Sequence, residues 1–431
     1  MIKILEYKET NYEVIWGYAS IVIMIIFSSF ANEFVINNFL FDYAALALLI
    51  FLYLVRYKSI PIIYAKIILV FAAYNVIHYL IYHDVHLYFI ARFLFYISLG
   101  FFTIRLNFDK FFIRLEKVIY YGALISLPLF ALQAFAFNML FGATATLQHI
   151  MGIVSPAQHD GSYYSNIIFY TVNTSGLARN CGFMFEPGAF GSVLAVAVGL
   201  NLIHNNFKLF NKRLIILLLA LITTFSTTAF LALISAIVLY MMNKKLKNGI
   251  ILIPIGAVII LVVFQLPFML NKITKLSNNP QKQLEFAIQL ANDSQQQQSL
   301  GRFAGLLLNF KDFKKAPIFG IGGHDNLKEK DMNKWNVNSV NGLGSYLVTF
   351  GIVGIFLLIF NLSKTFSRLT TEYEIKGYYF LVLMVLIIAF SFNLLETPLF
   401  FAFQICYVSM AKIISQTELK GIIGEPVYLP S

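Results

Sequence analysis

Long apolar runs recur along the whole chain, and no other feature constrains the fold as strongly. Hydrophobic residues make up 59% of the 431 residues and charged residues only 12%, which is more apolar surface than a soluble domain of this length can bury. Each run is close to the roughly 20 residues that cross a bilayer as a helix, and the alternation typical of a membrane β-barrel is missing. The sequence therefore predicts an all-α, polytopic integral membrane protein whose single transmembrane domain covers residues 1–431.

The order of the apolar runs predicts about 12 membrane segments, with both termini in the cytoplasm. Under this arrangement most of the 32 Lys and Arg residues lie on one side, which the positive-inside bias identifies as cytoplasmic. The formal net charge of +11 is thus explained mainly by topology, and no nucleic-acid partner is predicted. The first run lacks a convincing cleavage site and is expected to remain as an uncleaved span. The predicted segments are 13–31, 37–55, 60–81, 87–104, 117–140, 186–204, 213–225, 228–242, 249–267, 342–361, 377–394 and 398–414.

The apolar run at 213–242 is too long for one ordinary span, and both of its ends are basic. A single helix would place one of the two basic clusters outside. Two short half-helices that turn within Thr223–Thr228 keep both clusters inside, and the hydroxyl groups of the turn can satisfy the broken backbone. A half-helix hairpin is therefore predicted here.

A first long outer loop is predicted at 141–185. It carries no Lys or Arg before Arg179, and it contains His159, Tyr163 and Tyr164, which are candidate substrate-binding residues. Long ordered loops usually have a function, so this loop is a candidate site region.

A second long outer loop is predicted at 268–341. An amphipathic pattern that starts near Leu300 predicts a helix within it, with Ser299 as the N-cap and Arg302 in the first turn. Because the first turn of a helix has free backbone N–H groups, it favours an anion beside Arg302.

Arg179 and Arg302, one from each outer loop, are the candidate catalytic cations. The planar guanidinium binds phosphate oxygens bidentately. An enzyme that acts on a lipid-linked pyrophosphate must neutralise the departing pyrophosphate, either with a divalent metal held by paired carboxylates or with arginine and lysine. The chain contains no Asp-x-Asp motif, so arginine rather than a metal ion is expected to do so. A general base would be a histidine or a carboxylate, and Glu186 and His324 are the candidates nearest the two arginines in sequence.

Each of these residues also has a purely structural explanation, and the sequence leaves both explanations open. Arg179 could reach the membrane interface or form a salt bridge, and Arg302 could be a polar-face residue of its helix. Glu186, which precedes Pro187, could cap the next span. His324 lies in a glycine-rich turn, where histidine is often inert.

Two further polar features lie near the predicted membrane surface. Arg92 is inside a predicted span, where charge is costly, so it is a candidate substrate-binding residue with snorkelling or pairing as the alternative. The segment His83–His86 superficially resembles a set of metal ligands, but it is a tight loop with no obvious additional ligand. We interpret it as interfacial polarity and predict neither a metal nor a cofactor. Cys181 and Cys406 are not expected to form a disulfide.

Five motifs follow one another in a recognisable order over roughly residues 120–360. They are Arg179-x-x-Gly182-x-x-x-Glu186-Pro187-Gly188, the Thr-Phe-Ser-Thr-Thr turn at 224–228, Gly301-Arg302, Ala316-Pro-Ile-Phe-Gly-Ile-Gly322, and the stretch from Leu343 that ends in Gly351-Ile-Val-Gly354. Their order and topology resemble the O-antigen polymerase and O-antigen ligase superfamily, the Wzy-type glycan polymerases and their relatives.

The resemblance implies an inverting, metal-independent glycosyl transfer on the outer face of the bacterial cytoplasmic membrane. The donor would be a glycan on an undecaprenyl-pyrophosphate carrier. The acceptor would be another carrier-linked repeat unit in a polymerase, or a lipid A-core sugar in a ligase. Arg179 and Arg302 would hold the pyrophosphate, and the aromatic side chains of the first loop would stack on sugar rings. A chain-length regulator is a candidate partner besides the bilayer.

One departure from the family pattern separates polymerase from ligase. Ligases resemble one another in a His-Asn pair shortly before the Gly-x-x-Gly segment, where this chain has Val340-Asn341. The missing histidine favours an O-antigen or capsule polymerase, with Asn341 as a candidate substrate-binding residue and His324 as a candidate replacement for the histidine.

A flippase for lipid-linked oligosaccharides is the alternative from another class, because transporters also have about 12 spans. A transporter would place polar residues along a midspan cavity, and it has less need of a long outer loop. The notable midspan polar residues are few, namely Asn75, His78, Arg92, Gln133 and Asn393. The sequence therefore favours the enzyme.

Overall fold

The computed structural model shows a bundle of helices with two small β-sheets beside it. It describes residues 9–29, 39–150, 157–159, 162–167, 169–173, 178–244, 280–294, 298–324, 327–328 and 337–409. The predicted span at 249–267 lies outside the described residues.

Fourteen α-helices are described within these ranges. Those of the first half of the chain are α1 Asn11–Ser28, α2 Phe39–Tyr57, α3 Ile62–Tyr82, α4 Leu87–Asn107, α5 Phe111–Phe135, α6 Phe137–Ile150 and α7 Pro187–His204. Those of the second half are α8 Lys212–Thr223, α9 Thr227–Asn243, α10 Pro280–Ser294, α11 Arg302–Phe313, α12 Gly342–Glu372, α13 Tyr378–Ser391 and α14 Pro398–Ser409.

Six helical segments of the described part are long and apolar enough to cross a membrane. They are Asn11–Ser28, Leu40–Tyr57, Ile62–Tyr82, Leu87–Phe135, Pro187–His204 and Gly342–Glu372. Four shorter apolar helices accompany them, namely Phe137–Leu147, Thr227–Asn243, Tyr378–Ser391 and Pro398–Ser409. The short helices α8 and α9 follow α7 in the chain. Large apolar side chains on α3, such as Leu69 and Leu80, are exposed, as expected of a surface that faces lipid. The chain is therefore a multi-pass, predominantly helical membrane protein.

The helix α7 forms the centre of the bundle, with 94% of its residues buried. It packs against α5, α8, α9 and α13. Its sequence explains this position, because it is rich in Gly, Ala and Val, and small residues let helix backbones approach closely in a membrane. The start of α7, which carries Glu186 and Pro187, is therefore held rigidly.

The predicted break in the run at 213–242 is present. The helix α8 ends at Thr223 and α9 begins at Thr227, so the turn lies within the hydroxyl-rich segment. Ser226 caps α9, because its side chain accepts a hydrogen bond from the Ala229 N–H. The Thr224 hydroxyl donates back to the Leu221 carbonyl. Hydroxyl groups thus satisfy part of the broken backbone, as the sequence predicts.

A second break lies in α12, at Gly351. This residue has φ 65° and ψ −166°, a conformation that glycine adopts without strain. The break admits the segment 317–322, whose Ile321 and Gly322 N–H groups donate to the carbonyls of Val348 and Thr349. The Ile352 N–H in turn donates to the Pro317 carbonyl at 2.9 Å. The two glycine-rich motifs are therefore one structural unit.

Two small sheets, which periodicity does not predict, lie in the two predicted outer loops. In the first loop, β1 Ala157–His159, β2 Ser162–Ile167 and β3 Tyr170–Asn173 form an antiparallel sheet. In the second loop, β4 Gln298–Leu300 pairs in parallel with β5 Val337–Ser339. Each strand is short, so its alternation carries little signal.

The predicted amphipathic helix is present as α11, but its predicted cap is wrong. Ser299 lies in β4, paired with Asn338, and Gly301 is the N-cap. Because Ser299 is part of the paired strand, it cannot cap the helix, which begins at Arg302. This sheet also brings the start of α11 beside the start of α12, although the two are far apart in sequence.

A charged cluster joins α1, α2 and α5 at one end of the bundle. Arg56 Nε lies 3.0 Å from Glu13 Oε1, and Lys110 Nζ lies 2.9 Å from Glu9 Oε2. Arg114 also pairs with Glu9. All three cations belong to the predicted cytoplasmic side, and finding them together is compatible with that prediction.

The topology can be tested by cysteine labelling, since both native cysteines are fully buried. We expect the native protein to resist a membrane-impermeant maleimide in whole cells. Gln281→Cys, at an exposed position of α10 in the predicted outer loop, should be labelled from outside. Lys208→Cys, an exposed residue between α7 and α8, should react only after the cells are lysed. Labelling in the reverse order would contradict the predicted orientation.

Candidate active site

Arg179 is fixed against the turn between α8 and α9. Its Nε donates to the Thr224 carbonyl at 2.9 Å, and one Nη donates to the Phe225 carbonyl at 3.0 Å. These carbonyls are free for it because the helix breaks at this turn. Both acceptors are neutral, so the bonds orient the guanidinium and do not cancel its charge. The outer-loop arginine and the half-helix hairpin, predicted separately, are parts of one structure.

Because Arg179 completes the broken helix, its replacement should affect both folding and activity. We expect Arg179→Ala to lower the free energy of unfolding by about 3 kcal/mol, the lower end for two lost hydrogen bonds from a charged donor. Arg179→Lys keeps the charge but cannot bridge two carbonyls as a planar fork does. A thermal melt in detergent checks this. An unchanged melting temperature in Arg179→Ala would show that the two bonds contribute nothing.

The residues after Arg179 anchor the loop and deliver Glu186 to the start of α7. The Asn180 amide donates to the hydroxyls of Ser126 and Thr223, both at 3.0 Å, and its carbonyl oxygen accepts from the Gly182 N–H. Asn180 is completely buried. The loop is therefore a fixed connection and not a loose linker.

Glu186 is the N-cap residue of α7, but its side chain makes no capping hydrogen bond to that helix as the structure describes it. The backbone carbonyl of Glu186 accepts from the Phe190 N–H at 3.1 Å. Burial is the main cause of the raised pKa of the nearby Cys181 thiol. The charge of Arg179 lowers this pKa, and the charge of Glu186 raises it. Arg179 and Glu186 thus both lie close enough to the buried Cys181 thiol to affect its pKa. The described structure therefore shows no capping role for the Glu186 side chain.

Arg302 is the first residue of α11, and its guanidinium lies 5.2 Å from the centre of the Phe392 ring. Its Nε is buried and has no hydrogen-bond partner among the described residues. Burial lowers the pKa of Arg302, and the Glu186 carboxylate opposes that shift. Arginine stays charged in any such environment. The site therefore holds a half-buried cation that Glu186 influences and that no described carboxylate contacts as an ion pair.

Asn341 holds Arg302 in place. The Asn341 amide donates to the Arg302 carbonyl at 3.3 Å, and its oxygen accepts from the Gly344 N–H at 2.7 Å, capping α12. Asn341 is fully buried, and its own carbonyl accepts from the Asn309 amide. The predicted substrate-binding residue is thus located at the site, with its side chain used to join α11 to α12.

Several helices begin around the break between α13 and α14. A Cβ on Gly188 would overlap the Phe392 ring, and a Cβ on Gly342 would overlap the Phe392 backbone. Arg302 covers the same ring, and Thr228 near the start of α9 hydrogen-bonds Ser391 at 2.6 Å. The N-termini of α7, α9, α11 and α12 therefore meet here. Each carries about half a positive charge, so the region is suited to an anion.

His324 lies in a separate cluster. Its ring is 4.4 Å from Tyr82 and 4.3 Å from His86, measured between ring centres, and it stacks on His78 at 6.0 Å. These partners belong to α3 and to the loop that follows it. The backbone of the turn at 320–324 is hydrogen-bonded to α12 near the break at Gly351. Arg302 instead lies beside the start of α12, where Asn341 contacts it. His324 is thus placed with residues of α3 and its following loop, and its role as a base stays a prediction.

Arg92 belongs to a polar group within the bundle that includes a residue missed by the sequence reasoning. Its Nε donates to the Tyr96 hydroxyl at 3.0 Å. Glu396, in the break before α14, influences Arg92 electrostatically and accepts a hydrogen bond from Thr349 at 3.4 Å. The only available signal for Glu396 was a carboxylate flanked by apolar residues. Glu396 and Asp42 are thus both carboxylates within electrostatic reach of Arg92.

The remaining predicted substrate-binding residues lie in the antiparallel sheet. His159 ends β1, and Tyr163 and Tyr164 lie in β2, where Tyr164 pairs with Ala157 and with Asn173. Tyr170 in β3 is buried and donates to the Gln133 side chain at 2.7 Å, which docks the sheet on α5. Sugar stacking by the first loop stays a prediction.

The fold and the site define a multi-pass membrane protein with two half-buried arginines near the ends of several helices. Residues 214–359, about a third of the chain, match the model of the O-antigen ligase family. The match supports placing the chain in the O-antigen polymerase and ligase superfamily, and it fits polymerase or ligase activity in general. It includes Arg302, His324 and Asn341, and it starts after Arg179 and Glu186. No curated protein and no solved structure matches the chain.

Proposed function

We propose that the protein is a polysaccharide polymerase that joins undecaprenyl-pyrophosphate-linked repeat units by inverting glycosyl transfer. The main support for the proposal is Arg302, whose buried Nε has no described hydrogen-bond partner and whose charge interacts with Glu186 where several helices begin. Such an arrangement stabilises a dianionic leaving group without a metal ion. The membrane location suits a substrate with a polyprenyl tail, which enters from the bilayer.

In the proposed reaction, Arg179 and Arg302 hold the donor pyrophosphate. An acceptor hydroxyl attacks the anomeric carbon from the opposite face, so a new glycosidic bond forms and the anomeric bond to the pyrophosphate oxygen breaks. The electron pair leaves with the pyrophosphate, whose growing charge the two arginines stabilise. Glu186 takes the proton of the acceptor hydroxyl. Asn341 acts as a positioning residue through the Arg302 carbonyl.

The choice of polymerase over ligase rests on Val340. Where ligases have a histidine, this chain presents a partly exposed apolar side chain next to the buried Asn341. A valine cannot accept a proton or bind an acceptor by hydrogen bonds. An O-antigen ligase remains the second candidate, because the family match covers both activities.

We place the enzyme in the bacterial cytoplasmic membrane with its active site facing the periplasm or the exterior. The two long loops that carry Arg179 and Arg302 support this orientation, because the predicted cytoplasmic side holds most of the cations. A chain-length regulator in the same membrane is the proposed protein partner.

Deletion of the gene tests the proposal directly. Surface and lipid-linked glycans are extracted and separated on a gel. We expect the ladder to collapse to single repeat units. Long polymer stranded on its carrier would identify a ligase instead, and single units trapped on the cytoplasmic side would identify a flippase. An unchanged glycan pattern would contradict all three activities, polymerase, ligase and flippase.

A further inference from the structure

Three residues with metal-binding side chains meet where the loop between α3 and α4 touches the turn at 320–324. Asp84, His86 and His324 each offer one ligand atom, and these atoms all lie within 4.8 Å of one another. From the sequence, no metal is predicted at His83–His86 because no further ligand is apparent there. That reason was wrong, because the fold supplies His324 from the other half of the chain.

The geometry of the Asp84–His86 pair fits a tetrahedral metal. Asp84 Oδ2 lies 3.2 Å from His86 Nε2. In a tetrahedral zinc site, with ligands at 2.0–2.1 Å, neighbouring ligand atoms are about 3.3 Å apart. The other carboxylate oxygen, Oδ1, accepts the Val85 N–H at 2.7 Å and so fixes the orientation of Oδ2. Hydrogen bonds of this kind orient metal ligands in known sites.

Burial supports a ligand role for the histidines. His86 Nε2 is buried and forms no hydrogen bond within the described part of the chain, although Asp84 lies nearby. His324 is only 4% exposed, whereas the Asp84 side chain is 60% exposed. The cluster thus has a buried side at His324 and an open side at Asp84, with the His86 side chain 33% exposed between them. Two imidazoles, one carboxylate and a water molecule form a common zinc ligand set.

Close backbone packing brings the two segments together. A Cβ on Gly323 would lie 2.5 Å from the Phe89 Cβ and 2.9 Å from the His86 Cβ, so only glycine allows this approach. Side chains of α3 already dock on the same segment, since the Tyr82 hydroxyl donates to the Gly320 carbonyl at 3.4 Å and the Tyr74 hydroxyl donates to the Phe319 carbonyl at 3.3 Å. The cluster extends this contact to the exposed end of α3.

We propose that Asp84, His86 and His324 bind a divalent transition metal of the zinc class, which clips the α3–α4 loop to the segment that fills the break in α12. The metal is structural and lies in a different cluster from Arg179 and Arg302, so glycosyl transfer still proceeds without a metal at the leaving group. The proposal stands on the geometry of these three residues and not on the proposed function.

Metal binding is measured on the full chain, purified in detergent, stripped with a chelator and titrated with ZnCl₂. We expect one zinc per chain by elemental analysis and a melting temperature that rises with zinc. Co²⁺ should give the visible absorption of a tetrahedral site with nitrogen and oxygen ligands. His86→Ala and His324→Gln should each weaken zinc binding at least tenfold. His83→Ala, next to the cluster but outside it, should bind zinc like the native chain.

The cobalt spectrum separates ligand loss from misfolding, because a variant with a native melting profile in chelator but no tetrahedral band has lost only the site. Two results would overturn the proposal. One is sub-stoichiometric zinc in the native protein, which would leave Asp84 and His86 as a simple ion pair. The other is equal zinc uptake by the native chain and His86→Ala.

Discussion

Arg302→Ala should abolish polymer formation while leaving the folded protein intact. The Arg302 Nε has no hydrogen-bond partner among the described residues, so the fold loses the contact with the Phe392 ring and the electrostatic interaction with Glu186. The reaction loses a preorganised cation at the leaving group, which typically costs about 100-fold to 1,000-fold in rate. The glycan ladder in a complemented deletion strain measures the effect, with membrane protein level and melting temperature as the folding readout.

Lys311→Ala is the matched control for Arg302→Ala. Lys311 is an exposed cation in the last turn of the same helix, so its removal changes the charge of α11 equally and leaves the site alone. We expect a normal ladder from it. Arg302→Lys should fall between the two, because lysine keeps the charge but loses the bidentate fork. Normal chain growth in Arg302→Ala, at normal expression, would remove Arg302 from the mechanism.

Glu186→Gln should produce the second large loss, but at a different step. The substitution keeps the shape and removes the proton acceptor, and positioned bases contribute about 100-fold to 10,000-fold. The side chain makes no capping bond to α7 within the described structure, so α7 should stay folded. With purified protein and lipid-linked repeat units, we expect turnover to fall by about this factor, while the donor concentration for half-maximal rate changes little.

Two variants calibrate the Glu186 result. Glu186→Asp retains a carboxylate and should keep partial turnover. Glu285→Gln removes an exposed carboxylate from α10 in the second outer loop and should behave like the native protein. If Glu186→Gln instead raises the required donor concentration at full turnover, the carboxylate orients the Arg302 end of the site and another group accepts the proton.

The parts of this molecule that composition and periodicity could predict are local ones. Apolar runs predicted the helical membrane class, and the excess length of the run at 213–242 predicted its break. An amphipathic pattern predicted α11, and the isolated charges at Arg179 and Arg302 stood out because charge is costly near a membrane. In each case the signal lay within a single segment of sequence.

What could not be predicted depends on contacts between distant segments. The docking of Arg179 on the Thr224 and Phe225 carbonyls exists only because the helix breaks there. The approach of Glu186 to Arg302 needs α7 and α11 to meet, and His324 reaches His86 only through the fold. Short strands such as β4, which displaced the predicted cap at Ser299, carry too few residues for their alternation to be read.

We expect this chain alone to elongate lipid-linked glycans, with Arg302 at the leaving group. The most direct measurement places purified protein in proteoliposomes with undecaprenyl-pyrophosphate-linked repeat units and a chelator, and resolves the products by length. We expect polymers of two or more units from the native chain and only single units from Arg302→Ala. Single units from the native chain, with the protein folded and the substrate intact, would contradict the assignment as a polymerase.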